Sequence, residues 1–192
     1  MNAFDAGRMV EARAMARILP FLEEQSNGRL VLTDKGRLAP FLQQIIGDVL
    51  FNARGDGRMY AVEVKSETRW TGNLFLEVWS NRNLEKRENH ARLGSNPGWL
   101  FKLQSDLLFY YFCDVDRLLV IDLFSLKRWA FGGGGRAPRL YGYRMAEQKL
   151  RDQPNDTWGY LVPVAVLRVE LEVPMRELNV QQLDMLAGRN VT

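Results

Sequence analysis

The stretch that most restricts how this chain can fold is "DVLFNARGDGRMYAVEVKS", residues 48–66. Two short apolar runs flank a turn built from Arg54, Gly55, Asp56, Gly57 and Arg58. Such runs, bounded by Gly and Asp, predict a β-hairpin with strands over 48–53 and 59–66. Side chains alternate along a strand, so Val62 and Val64 share one face while Glu63 and Lys65 share the other. Two valines anchor one face in a core and thereby fix where the charged face points. The antiparallel return brings the head of the first strand, Asp48, to the Glu63 end, with Lys65 beside the two acids.

Two carboxylates a few ångströms apart repel each other, and burial raises that cost. A divalent cation removes the penalty and leaves coordination positions for water and a phosphate oxygen. An adjacent lysine can then stabilise charge on the phosphate or orient an attacking water. The pattern reads as a cradle for a hard divalent ion such as Mg²⁺ or Mn²⁺, with the lysine as its electrostatic companion. The rest of the composition agrees on the class of ion. One cysteine, Cys113, and one histidine, His90, leave no thiolate or imidazole cluster for zinc or iron, so a metal site must rest on carboxylates. Both residues read as structural or surface groups and neither as a nucleophile.

Around the hairpin, "GRMVEARAMARILPFLEEQ" has helical spacing, with Pro20 set to kink or end the helix. "RLVLT" reads as a short strand and "GRLAPFLQQII" as a short helix or link. "NLFLEVWSN" reads as a further strand with Leu74, Leu76 and Val78 on one face and Phe75, Glu77 and Trp79 on the other. "NLEKRENHARLGSNPG" reads as a charged loop or surface helix, "RLLVIDLF" as a buried strand, and "SLKRWAF" as a short helix. "GGGGRAPRLYGYR" reads as a flexible connector, not a phosphate loop, since no Lys-Ser or Lys-Thr follows the glycines. "GYLVPVAVL" gives a last strand before an amphipathic tail at "NVQQLDML". This order predicts a mixed α/β or α+β domain.

Asp48 followed by "YAVEVK", with a helix carrying Glu11 upstream, resembles the PD-(D/E)XK nuclease superfamily, which contains type II restriction enzymes and Holliday-junction resolvases. The motif position before the first acid holds Gly47 in place of proline. The resemblance covers residues 9–125 and implies a central mixed β-sheet flanked by helices, here with an extra C-terminal strand and helix. The glycine-rich stretch around Gly133 gives the best candidate boundary, dividing a core over residues 1–131, a connector over 132–144 and a C-terminal extension over 145–192 packed on the core. The resemblance also implies a metal held by Asp48, Glu63 and the Val64 backbone carbonyl, with Glu11 as a further ligand and Glu23 or Glu24 behind it. Lys65 would assist the attacking water. The wider pattern is similar to small nuclease-like proteins of phages and mobile elements, in which acids equivalent to Glu77 and Asp106 recur.

Each signal has a structural alternative. The ExK strand also suits a wet sheet edge, Glu11 also suits a solvated pair with Arg8, and Asp106 also suits a turn. Arg69, Arg82, Lys86, Arg87, Arg92 and Lys102 follow the hairpin strands and can meet a phosphate backbone, though Glu85 and Glu88 interleave with them. Arg136, Arg139 and Arg144 around the glycines could form an arm toward nucleic acid. Trp70, Trp79 and Trp99 could stack on bases, but such residues more often build a core. The charge balance, 26 basic against 23 acidic residues, is a mild basic bias that suits a polyanion without demanding one.

The expectation is a Mg²⁺- or Mn²⁺-dependent endonuclease on DNA, structure-selective or nonspecific, cytoplasmic, off the membrane, with homodimerisation left open. The alternatives are a catalytically inactive DNA-binding or protein-interaction module on the same scaffold, and a plain α/β interaction protein.

Overall fold

The computed structural model describes residues 3–32, 46–54, 57–80, 97–148 and 157–186. Helix α1 (Ala3–Gln25) is followed by strands β1 (Ser26–Leu32), β2 (Val49–Ala53), β3 (Met59–Glu67) and β4 (Asn73–Trp79). A short helix α2 (Trp99–Lys102) precedes β5 (Leu107–Phe112), β6 (Arg117–Asp122) and helix α3 (Leu123–Phe131). Then come β7 (Arg144–Gln148), β8 (Thr157–Pro163), α4 (Val164–Glu170), β9 (Arg176–Leu178) and α5 (Val180–Leu186). The chain is a mixed α+β fold with two sheets, one of six strands in the order β1-β2-β3-β5-β6-β9 and one of three in the order β4-β8-β7. The large sheet is mixed, because β3 and β5 run parallel while its other pairs are antiparallel.

Strand alternation decides which core each residue joins. On β5, Phe109 and Tyr111 face α1, while Leu108, Tyr110 and Phe112 face the side shared with β4 and α3. Both faces of β5 are covered, so its sequence "LLFYYF" is apolar throughout. β3 differs. Val62 and Val64 are buried against Ala14, Ile18, Phe21 and Leu22 of α1, while the opposite face carries Glu63, Lys65 and Glu67. Register sets these three beside Leu108, Tyr110 and Phe112 of β5. A strand central to its sheet thus presents a charged row between an apolar neighbour and β4.

Cys113 sits just past β5, 3 % exposed, with its Sγ 3.9 Å from the Val10 carbonyl of α1. Helix α1 is also tied to the β5–β6 turn and to α5 by Arg17, whose guanidinium meets Asp116 at 2.7 Å and Asp184 at 2.8 Å.

Several expectations are revised in detail. α1 continues through Pro20 to Gln25, because Ile18, Phe21 and Leu22 hold both sides of the proline in the core. "NLFLEVW" forms a strand but leaves the hairpin's sheet and pairs with β8. The final apolar run is not a strand throughout. Pro163 ends β8, and Val164 opens a helix whose inner residues, Val164 and Leu167, follow helical spacing into the core. Residues beyond 144 contribute to both sheets, through β7 and β8 in one and β9 in the other.

In the 132–144 segment, Gly132 closes α3 through a bond from its amide to the Arg128 carbonyl (2.9 Å), and Leu140 is fully buried. "GRLAPFLQQI" and nearly all of "NLEKRENHARLGSNPG" lie outside the described residues. Among the described residues no helix is long and apolar enough to cross a membrane.

Candidate active site

The hairpin register pairs Val49 with Val62, and the Asp48 amide donates to the Val62 carbonyl at 2.8 Å. One residue further along, Asp48 stands beside Glu63. Its Oδ2 accepts from the Val64 amide at 2.8 Å. Amide and carbonyl of one extended residue point to the same strand edge, so the Val64 carbonyl faces the Asp48 side as well. Glu63 is 6 % exposed, and Lys65 Nζ donates to its Oε1 at 2.5 Å.

The electrostatics of the pair come from burial and from neighbouring acids. Burial pushes the Glu63 carboxyl above its ordinary value; the charges of Asp48 and Glu11 add to that, and Lys65 opposes it. Burial works against the Lys65 ammonium, yet Glu63, Asp48 and Glu77 outweigh it and hold the amine above the ordinary lysine range. Lys65 therefore carries its positive charge at neutral pH. Glu11 is exposed on α1, but its field reaches Glu63.

Gly47 makes room for this arrangement. Its φ of +91° is closed to proline and costly for any residue with a side chain. A Cβ there would lie 2.6 Å from Ser105 Oγ, 2.7 Å from the Val62 carbonyl oxygen and 3.0 Å from Glu63 Oε2. In the sequence Gly47 shows only as a departure from a motif and a glycine at the head of a strand; its steric role emerges once Ser105 and Glu63 are packed around it.

Glu77 sits on the outer face of β4, partly exposed. Its Oε1 accepts from Ser80 Oγ at 2.6 Å and from the Trp99 amide at 3.3 Å. Lys102 Nζ donates to the same Ser80 hydroxyl at 3.2 Å, so Lys102 joins the site's rim through Ser80. In the sequence Ser80 is marked only by its position at the end of an acid-bearing strand.

Other candidates stand elsewhere. Arg69 is exposed just beyond β3. Glu24 meets Arg54 at 3.4 Å at the turn end of the hairpin, opposite Asp48. Asp106 braces the start of β3, its Oδ2 accepting from the Ala61 amide at 2.9 Å. Trp99 is buried in the core, and Trp70 and Trp79 pack against it. Arg82, Lys86, Arg87, His90 and Arg92 lie outside the described residues.

Among the described residues no three His, Cys, Asp or Glu side chains form a group that could hold a metal ion. Mg²⁺ asks for less, since it is commonly bound by one or two carboxylates with water and substrate phosphate completing its shell. Asp48, Glu63 and the Val64 carbonyl are an all-oxygen donor set of that kind, in which the Asp48 charge adds to the cost of ionising Glu63 and Lys65 offsets part of it. These residues fit such an ion. Comparison with protein-family models, with curated proteins and with solved structures returns no significant match.

Proposed function

We propose that this chain is a divalent-metal-dependent nuclease acting on DNA phosphodiesters, built in the manner of the PD-(D/E)XK enzymes that its hairpin resembles. One observation carries the reading: Asp48 stands in register beside a buried Glu63 whose carboxylate is engaged by Lys65. Asp48, Glu63 and the Val64 carbonyl would hold Mg²⁺ or Mn²⁺, which when bound lowers the pKa of water and offsets phosphate charge. Lys65, kept protonated by the surrounding acids, donates toward the phosphate or the incoming water. Glu77, fixed by Ser80 and the Trp99 amide, adds to the field that holds the Lys65 proton. Lys102 and Arg69 offer phosphate contacts at the rim. A DNA substrate makes the cytoplasm part of this proposal.

A second reading has its own support. Asp48 already accepts from the Val64 amide and Glu63 from Lys65, so the cluster is self-satisfied as it stands. That favours a catalytically silent DNA-binding module. Supercoiled, linear and branched DNA incubated with Mg²⁺ or Mn²⁺ separates the two. Cleavage that disappears on chelation and falls about a hundredfold or more in Asp48→Asn, Glu63→Gln and Lys65→Ala supports the enzyme. Retention of DNA without cleavage supports the silent module. Cleavage that persists in all three variants removes the assigned site.

A further inference from the structure

The charged row on β3 does not end at Lys65. Glu67 lies four residues past Glu63 on the same face, about 13 Å along the strand. Its Oε1 accepts from the Tyr110 hydroxyl at 2.8 Å, and that hydroxyl accepts from the Phe75 amide at 3.4 Å. Glu67 then borders a cleft of about 250 Å³, lined also by Thr71, Asn73, Phe75, Gln148 and Leu161.

The cleft has an aromatic and aliphatic floor. Phe75 pairs in register with Leu161, and Glu77 with Gly159. Gly159 lets the Phe75 ring reach across the small sheet, since a Cβ there would stand 2.8 Å from Phe75 Cζ and 2.7 Å from the Leu76 carbonyl oxygen. Phe75 and Glu77 are consecutive on this face, about 7 Å apart along β4. The cleft floor at Phe75 is therefore the neighbour of Glu77 on the same face of β4.

We propose that this cleft takes the unpaired base of a nucleotide flanking the cleaved phosphodiester, and that Glu67 selects a base with a donor-rich pairing edge, guanine foremost. The inference rests on the nucleic-acid reading above. Phe75 supplies the stacking surface that unpaired bases seek. A carboxylate only accepts hydrogen bonds and keeps capacity beyond the one Tyr110 fills. Guanine offers adjacent N1–H and N2–H donors. Thymine offers a single N3–H between two carbonyl oxygens that the carboxylate repels. The Glu67 carboxylate repels phosphate, so the base and not the backbone enters. The volume is far above that of one water and below that of a drug-sized pocket, which suits a single ring system.

The test measures affinity by fluorescence anisotropy without divalent ions. The probes are ten-residue dT oligonucleotides carrying one central dG, dI, dA or dC. The dG probe should bind roughly tenfold more tightly than all-dT, with dI, which lacks the amino group, in between. Glu67→Gln, its fold checked by circular dichroism, should erase the ranking. Glu67→Asp, which keeps the charge but withdraws it, should erase it too. Phe75→Leu should weaken all probes alike, and Lys65→Ala should preserve the ranking. No ranking in the wild type, or one that survives both Glu67 variants, overturns the inference. DNA cleavage without a ranking removes this cleft and leaves the nuclease standing. A ranking without cleavage does the reverse, and no binding to any probe removes both.

Discussion

Glu67 and Glu63 are both carboxylates on the inner face of β3, but their surroundings treat them differently. Glu63 has an ammonium on it; Glu67 has only a phenol. Burial, the largest influence, pushes the Glu67 carboxyl above its ordinary value, and the Tyr110 hydroxyl only partly draws it back. A carboxyl whose folded pKa exceeds its unfolded one destabilises the fold as pH rises through the window between them, and the penalty vanishes on acidification. Glu67→Gln keeps an acceptor for Tyr110 and removes the charge. Its melting temperature should therefore exceed that of the wild type at pH 7, and the gain should shrink to nothing below the ordinary glutamate pKa. A variant equally stable at both ends would mean that Glu67 is better solvated than its burial implies. At this scale the alternation of Val62, Glu63, Val64 and Lys65 was legible from spacing alone. The Glu67–Tyr110 bond and the Ser80 bridge between Glu77 and Lys102 were not. Each joins residues at least 22 positions apart or depends on a neighbouring element, so only assembly reveals it.

At the level of elements, α1 shows tertiary packing overriding local preference. Pro20 has no amide hydrogen for the Ala16 carbonyl, and its ring crowds that turn, yet the helix runs on to Gln25. Apolar burial on both sides of the proline offsets the loss. Pro20→Ala should restore the missing bond and raise stability by about 1 kcal/mol or more, read as a higher urea midpoint at unchanged slope. A lower midpoint would show that the proline's bend is what seats Phe21 and Leu22.

The hairpin was legible because its turn and its alternation agree. β4 was legible as a strand but not as a member of a second sheet, because Leu74, Leu76 and Val78 specify a buried face without naming its partner. The helical turn at Val164 was hidden for a similar reason. "VPVAVL" has strong strand propensity, and the proline decides against it.

Across the whole molecule, two cores lie on opposite sides of the large sheet, and β3 alone among its inner strands spends one face on charge. The net charge of +3 is small, so attraction to a polyanion depends on where basic groups gather. Lys102 stands at the site's rim through Ser80. Lys102→Ala should weaken DNA binding about equally for all sequences and make the logarithmic dependence on salt shallower by about one unit. An unchanged slope with altered base preference would instead give Lys102 a reading role. The two-sided burial of β5 was visible in "LLFYYF"; the charged row beside it was visible only as ionisable residues at alternate positions.

The chain's sole thiol is sandwiched between the end of β5 and the first helix, against the Val10 carbonyl. An alkylating reagent can reach it only when that helix lifts from the strands beneath. The molecule thus contains its own clock for how often its two layers part company.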